Sequence, residues 1–487
     1  MLSESKLQQL RDRVYKMLAE VGFLIESEAL TQIMLKKGCT ISPFGRTRIP
    51  KEIIDEMVQF QKTGQISDAQ DQELLYLCGP DWAHHIIWHK QQNRIRSELK
   101  RRLLMSAFDC GPTRYYHYEQ QKLLPVDTDV FIKAKKFAQA TPEIGYISTW
   151  YRQDVPPKME RLESLVLGLK YTDKLDGVEA IYPQVIKYLV EASQIITGKT
   201  GDSSYLAGSE CITSPLIMGT RSAEDILERE RIGVARYHVA TMPTIGVSTP
   251  VTMSSAVVLM AAEILGGMTI CWCVDPESDI SGRAICSILD MRTALPHCTG
   301  PETTVANLTT KALFDAFWGG QCWVEIFLSP HAIRPGLTAV CENLLGGLRA
   351  GKMLNIPAMP YPGMGTLGDG GIGSFEQFIL DREIRNAQHS MKSDFDLDDF
   401  PFDEYCRAIE NKTEFLSHEH TLNHFKELWS SDVLIPMEGS QDEKNILDKA
   451  HQKVQEAINS WQPTDFPQER MKALEKMLRK AGKELTD

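Results

Sequence analysis

Residues 176–212 read DGVEAIYPQVIKYLVEASQIITGKTGDSSYLAGSECI. A short strand-like run, DGVEAIY (176–182), leads into PQVIKYLVEASQII, which has apolar residues at helical spacing and a proline suited to a first helical turn. SYLAGSECI (204–212) is strand-like again. Strand, helix and strand in that order imply parallel pairing through a right-handed crossover.

The same rhythm extends in both directions. Upstream stands EIGYIST (143–149); downstream come MPTIGVST (242–249), MTICWCV (268–274), RAICSIL (283–289), CWVEIFL (322–328) and IPAMPYP (356–362). Longer helical patterns lie between them, among them KMERLESLVLGLKY, SAEDILERERIGVARYHVA, SSAVVLMAAEILGG and TVANLTTKALFDAFW. Eight strand–helix units predict an α/β fold of the (β/α)8 TIM-barrel type rather than an open Rossmann sheet. One unit departs from the pattern, because RAICSIL follows MTICWCV with almost no helix between.

The barrel is expected over residues 136–375, between an N-terminal helical and β extension (1–135) and a C-terminal helical extension (376–487). In the first extension Leu7, Leu10, Val14, Met17 and Leu18 recur at helical spacing, ended by the Gly22-Phe23 step. A second helix follows Ser27 and stops at Gly38, and a third follows Pro50. In the last extension Met471, Leu474, Met477 and Leu478 form an apolar helical stripe that must pack on something.

Composition narrows the function. Of 487 residues, 43% are hydrophobic and 24% charged, as in ordinary globular proteins. A balance of 53 Lys and Arg against 65 Asp and Glu gives −12, with no basic tract to neutralise phosphates, so nucleic acid is not an expected partner. No apolar run reaches the roughly 18–20 residues of a membrane span, and the polar start is no secretory signal. A cytoplasmic location is expected. The eleven cysteines are scattered, without a CxxC pair, and read as small buried hydrophobes; Cys271 and Cys273 would share one strand face. No metal site is expected.

Barrel enzymes place their chemistry where strands end and βα loops begin. Those ends supply Trp150, Tyr182, Glu210, His331 and Tyr361, and Tyr115 comes from an aromatic run at 115–118. An aromatic face attracts a quaternary ammonium by about 0.5–2 kcal/mol per well-placed ring, although core packing is the plainer use of such rings. Glu210 and Glu325 lie in apolar strands, where a buried carboxylate needs a partner or a job. His331 and Arg334 could hold a substrate carboxylate. The cluster GMGTLGDGGIG contains Gly363, Gly365 and Gly368 in a formal GxGxxG, but after the eighth strand rather than the first, which favours a tight loop for ligand or partner approach over a dinucleotide site. His420 and His424 share a helical face without an HExxH order. His84 and His85 read as structural. There is no GxSxG elbow and no Walker A sequence.

Several segments carry a family resemblance: MLAEVGFLIESEAL (17–30), KKGCTIS (36–42), GRTRIPKEIIDEMV (45–58), GVSTPVTMSSAVVLMAAEILGG (246–267), DMRTALPHCTGPE (290–302), SFEQFILDREI (374–384) and FLSHEHTLNHFKELW (415–429). Together they resemble the trimethylamine:corrinoid methyltransferase (MttB) superfamily in order along the chain. The resemblance implies a (β/α)8 barrel that passes a methyl group from an amine to Co(I) of a separate corrinoid protein, in anaerobic one-carbon metabolism. Members that act on trimethylamine carry pyrrolysine after strand seven. Here that stretch reads HAIRPG (331–336), which points to the non-pyrrolysine branch and a quaternary amine. Glycine betaine leads; proline betaine and carnitine are the other candidates.

Under that reading His331 and Arg334 take the substrate carboxylate, and Tyr115, Trp150, Tyr182 and Tyr361 surround the methyl groups. Glu210 orients or balances charge. The chain has no DxHxxG corrinoid sequence, so cobalamin is expected on a partner protein. Gly363, Gly365, Gly368, His420 and His424 are the expected docking residues, and a homo-oligomer is expected. Two alternatives stand beside this reading. One is a zinc-dependent corrinoid methyltransferase for another donor, using His297 and Cys298 with a third ligand; the other is a non-catalytic betaine-binding protein.

Overall fold

The computed structural model describes residues 2–63, 105–108, 111–234, 236–319, 322–324, 330–354, 364–390, 400, 402–412, 414–431, 433–434 and 443–486. Trp82, His84, His85, Trp88, Glu325, Tyr361, Gly363 and the IPAMPYP run lie outside them.

Parallel strands joined by helices make this an α/β fold. Met105–Ala107 pairs with Ile144–Ile147, and Ile147 bridges in parallel to Leu175. Val178–Glu179 pairs with Leu206–Ala207. Glu210–Ile212, Arg236–Thr241, Asp279–Ala284 and Cys322–Val324 form a four-stranded parallel sheet in chain order. Met364 returns to bridge Ala107 in parallel, and Phe108 N donates to Met364 O at 2.9 Å. Among the described residues these are short separate sheets rather than one continuous ladder.

Several strand positions differ from expectation. The array takes in Met105–Ala107, upstream of EIGYIST. Arg236–Thr241, which the sequence pattern assigns to the end of a helix, is a central strand; of MPTIGVST only Thr244–Ile245 is extended. MTICWCV is no strand. It is the C-terminal part of the helix Met253–Val274, so Cys271 and Cys273 sit in a helical core. That correction removes the missing-helix anomaly before RAICSIL, which straddles the end of Asp279–Ala284 and the start of a hairpin, Ser287–Asp290 with Leu295–His297.

The cause is burial. The Met253–Val274 helix buries 18 of its 22 residues, so it shows no polar stripe and no 3.6-residue period. With mean hydropathy 2.0 it is long and apolar enough to cross a membrane, contrary to the reading that no such segment exists, but 94% of that window is buried inside the fold. The N-terminal helices Glu4–Glu20, Glu28–Lys36 and Lys51–Thr63 cover it, as does Pro301–Leu313.

The N-terminal helices follow their sequence signals. Ser27 Oγ accepts from Leu30 N at 3.3 Å to start the second, and the first ends at Gly22, where φ is +73° and an added Cβ would lie 2.1 Å from Thr47 O. Leu24–Ile25 then pairs with Ile217–Met218, tying this extension to the loop beyond the strand Glu210–Ile212. At the other end Gln468–Thr486 packs Met471, Leu474 and Met477 against the helices Pro157–Gly168 and Pro183–Thr197.

A buried lysine and a half-buried one serve backbone carbonyls. Lys135 donates to Ser148 O at 2.8 Å, and Lys174 to Ala138 O and Thr141 O at 2.9 and 2.8 Å, finishing the helix Thr128–Ala140. Burial pulls Lys135 down to about 7 and Lys174 to about 8.

Two outcomes follow from this packing. A Cβ on Gly266 would sit 2.4 Å from the Phe23 ring and 2.8 Å from Leu18 Cδ2, so Gly266→Ala should cost about 1–3 kcal/mol in a denaturant melt. For Lys135, the unfolded chain binds a proton that the native one releases between about pH 7 and the ordinary lysine value. Stability from this group therefore rises with pH, by up to about 1.4 kcal/mol per unit. Melts of wild type and Lys135→Met between pH 6 and 9 should diverge with pH, the wild type gaining.

Candidate functional site

Strand register sorts residues into two faces. Glu210 and Val239 are paired, as are Val239 and Gly282, and all three meet the helix layer. The alternate residues Cys211, Ala240 and Arg283 share the opposite face, with His238 and Ser281 one step away, where His238 Nδ1 lies 2.8 Å from Ser281 Oγ.

Glu210 is therefore corrected. It is fully buried and turned outward, 3.0 Å from Arg229 Nε on the helix Thr220–Arg231. Arg229 also meets Asp225 Oδ2 at 3.1 Å. Burial holds Glu210 well above the usual carboxylate range, and the proximity of Asp225 acts in the same direction. Two carboxyls around one guanidinium brace strand to helix; they do not face a substrate. The exposed residue of that strand is Cys211. Nearby, Glu179 accepts from Arg221 Nη2 at 2.9 Å, and Gly208 at φ +104° leaves room for the Glu179 side chain.

The loops after Asp279–Ala284, after Cys322–Val324 and after Met364 converge. Beyond Asp279–Ala284 comes the hairpin ending at His297; beyond Cys322–Val324 comes Pro330–Gly336; beyond Met364 comes the hairpin Thr366–Leu367 with Ile372–Gly373. Asp369 stands at the tip of the last, at φ +51°. Its Oδ2 accepts from His331 Nδ1 at 2.7 Å, its Oδ1 from Cys298 N at 3.1 Å, and its own N–H donates to Pro330 O at 3.1 Å. Gly368 N donates to Ala332 O at 2.9 Å. The His297 ring stands edge-on to His331, centroids 6.0 Å apart. His331 remains partly exposed, and Arg334 beside it is exposed.

Ile372–Gly373 also adds in parallel to Arg114–His117, which pairs with Lys122–Pro125. This small sheet carries Tyr115, half-buried. Beneath it Trp150 is fully buried, stacked on Phe375 at 5.5 Å and edge-on to Phe108 at 5.0 Å, while Gly373 leaves no room for a Cβ beside its ring. Trp150 is core, not pocket wall. Tyr182 is half-buried just before Pro183–Thr197.

The glycine cluster is also corrected. Gly365 is buried at φ +79°; its N–H is taken by Asp381 Oδ2 at 2.9 Å, and an added Cβ would meet the Phe108 ring at 2.6 Å. It serves packing rather than phosphate or partner contact. Gly368 is half-buried in the turn around Asp369. His420 and His424 stack at 4.3 Å on the short helix Glu419–His424, and His424 Nδ1 lies 3.0 Å from Glu427. Among the described residues no group of three His, Cys, Asp or Glu has the geometry to hold a metal ion, the His297–Cys298 pair included.

Around the strand ends stand exposed apolar side chains: Met242, Val247 and Val251, then Met291 and Leu295, then Ile333. Sequence reasoning did not single out this rim, Glu179 or Asp369. The turn GDGG (368–371) is a loop signal that could have located Asp369.

The structure separates bracing from chemistry at Glu210. Arg229→Ala strands two buried carboxyls and should cost about 3–5 kcal/mol in a melt. Glu210→Gln should leave turnover within about twofold of wild type, since the group touches no reacting atom.

The family described as Trimethylamine methyltransferase (MTTB) matches residues 90–317. A protein of Desulfitobacterium hafniense (strain Y51) named Glycine betaine methyltransferase is 20% identical over 510 residues, spanning 99% of this chain and 97% of its own length. The Trimethylamine methyltransferase MttB of Methanosarcina barkeri (strain Fusaro / DSM 804) is 22% identical over 288 residues, 56% of this chain and 55% of that protein. The family match stops short of His331 and Asp369.

Proposed function

With this chain placed among the amine methyltransferases of the MttB superfamily, we propose that it moves a methyl group from a quaternary amine, glycine betaine first, to a corrinoid carried by a separate protein. Full-length similarity to a glycine betaine methyltransferase supports the substrate class. The observation that carries the site is the convergence of three strand-end loops on Asp369 and His331, beside an open apolar rim. The parallel array runs in chain order from Ala107 to Val324, and Met364 returns to Ala107; we read it as a (β/α)8 barrel.

His331 and Arg334 take the carboxylate end of the substrate. Tyr115 and Tyr182 face its methyl groups. The rim residues Met242, Val251, Met291 and Ile333 suit contact with a large, largely apolar group presented by a partner. When bound, a reduced corrinoid supplies the nucleophile that accepts the methyl group. The N–CH3 bond breaks with both electrons staying on nitrogen, so glycine betaine leaves as dimethylglycine. A quaternary nitrogen already carries the positive charge that makes a neutral amine leave, so the site needs no general acid. Its residues position and desolvate. They must also hold the ammonium loosely, because its charge disappears in the transition state. The setting is the cytoplasm, and the protein works as a homo-oligomer.

A panel of glycine betaine, proline betaine, carnitine and trimethylamine, each with the protein and reduced cobalamin, tests this. Glycine betaine should yield methylcobalamin and dimethylglycine in equal amounts, with trimethylamine slower by at least an order of magnitude. A flat response across the panel would overturn the proposal.

A further inference from the structure

We propose that Asp369 is the positioning residue for His331, fixing the imidazole through its Nδ1–H so that the Nε2 edge meets the carboxylate of a zwitterionic substrate. This rests on the reading that His331 takes that carboxylate, and deepens it by naming the group that makes His331 competent.

Three observations carry it. A carboxylate can only accept, so the 2.7 Å contact assigns the proton between them to His331 Nδ1 and leaves Nε2 for another partner. The other carboxylate oxygen is occupied by Cys298 N at 3.1 Å, which fixes the plane of the Asp369 group and with it the ring. The backbone of Asp369 is itself tied, N–H to Pro330 O at 3.1 Å, one residue before His331. Asp369 therefore joins the three converging loops, and His331 cannot rotate without breaking a contact to another loop.

The backbone conformation makes the point independently. Asp369 has φ +51°, ψ +34°, the left-handed region that glycine enters freely. It sits in a turn whose neighbours are Gly368, Gly370 and Gly371, so a glycine there would relieve the backbone. A strained side chain in such a turn is explained by what its carboxylate does. Recognition then runs from Asp369 to imidazole to substrate carboxylate, the ring donating Nδ1–H to Asp369 and Nε2–H to the substrate. The ammonium end of the substrate is left to the aromatic side chains. His297, edge-on at 6.0 Å, closes the other side of the ring.

The test uses the full-length protein with Asp369→Asn, which keeps the shape and tolerates the left-handed backbone, and Asp369→Gly, which relieves it. Both should melt within a few degrees of wild type. KM for glycine betaine should rise roughly ten- to hundredfold, as for loss of a charged hydrogen bond, with kcat within about threefold. Tetramethylammonium, which has no carboxylate, should be unaffected. Equal losses for both substrates, or an unchanged KM for glycine betaine, would overturn the proposal. A second readout needs no turnover: in 15N-histidine spectra, with His331 assigned by a His331→Gln variant, wild type should show protonated Nδ1. Asp369→Gly, which removes the acceptor, should lose that signature. If the wild type turns over no quaternary amine, the methyltransfer reading falls and this spectrum alone decides: an unchanged His331 signal overturns the positioning role, and a lost one sustains it.

Discussion

The burial of one helix on every side organises the molecule. Met253–Val274 carries apolar residues all round, so a sheet on one face cannot satisfy it. Two adjacent glycines thin it in two directions. Gly266 lets Phe23 and Leu18 approach from the N-terminal extension, and Gly267 lets Val239 and Ile212 approach from the strands. The N-terminal helices are thus the outer half of the core around this helix, not an appended domain. That explains why Leu24–Ile25 reaches across to pair with Ile217–Met218.

One charged group interrupts that helix, and it too is used. Glu263 is fully buried; its carboxylate accepts from Ser214 Oγ at 2.8 Å, Leu216 N at 2.8 Å and Thr241 Oγ1. It pins the loop that follows Glu210–Ile212 against the end of Arg236–Thr241. Burial pushes its pKa up and the three donors push it back down, so the cost of burial is offset by hydrogen bonds rather than by a countercharge. Core helix, N-terminal cover and strand-end loop are then coupled through neighbouring residues of one segment.

How much of this was legible varied with burial. Amphipathic helices at the periphery, such as Glu4–Glu20 and Gln468–Thr486, announce themselves by period and caps, and they lie where the sequence places them. The fully buried helix does not, because without a polar face its last turns, MTICWCV, look like a buried strand. That one misreading displaces the neighbouring strand: the helix Thr220–Arg231 seems to continue through Arg236–Thr241, and His238 disappears into it. At the site, His331 was legible from its place after a strand and from the resemblance. Asp369 was not, since its role depends on a contact spanning 38 residues.

Carboxylates show most clearly why position along a strand is insufficient. Glu210 and Glu179 both lie in short strands of the array, and both reach arginines of one helix. Glu210 points to the helix layer and finds Arg229; Glu179 is half-buried and meets Arg221 at the start of the same helix. A strand exchanges its two faces with a slip of one residue, so a sequence that locates the strand to within two residues cannot assign the face. The charged groups on the helix side are spent on holding strands to helices, where a salt bridge tolerates any chemistry beyond it. Loops are mobile unless tied. In the proposed methyl transfer, which calls on neither acid nor base, a network of hydrogen bonds among three loops acts by holding the substrate-binding groups in place.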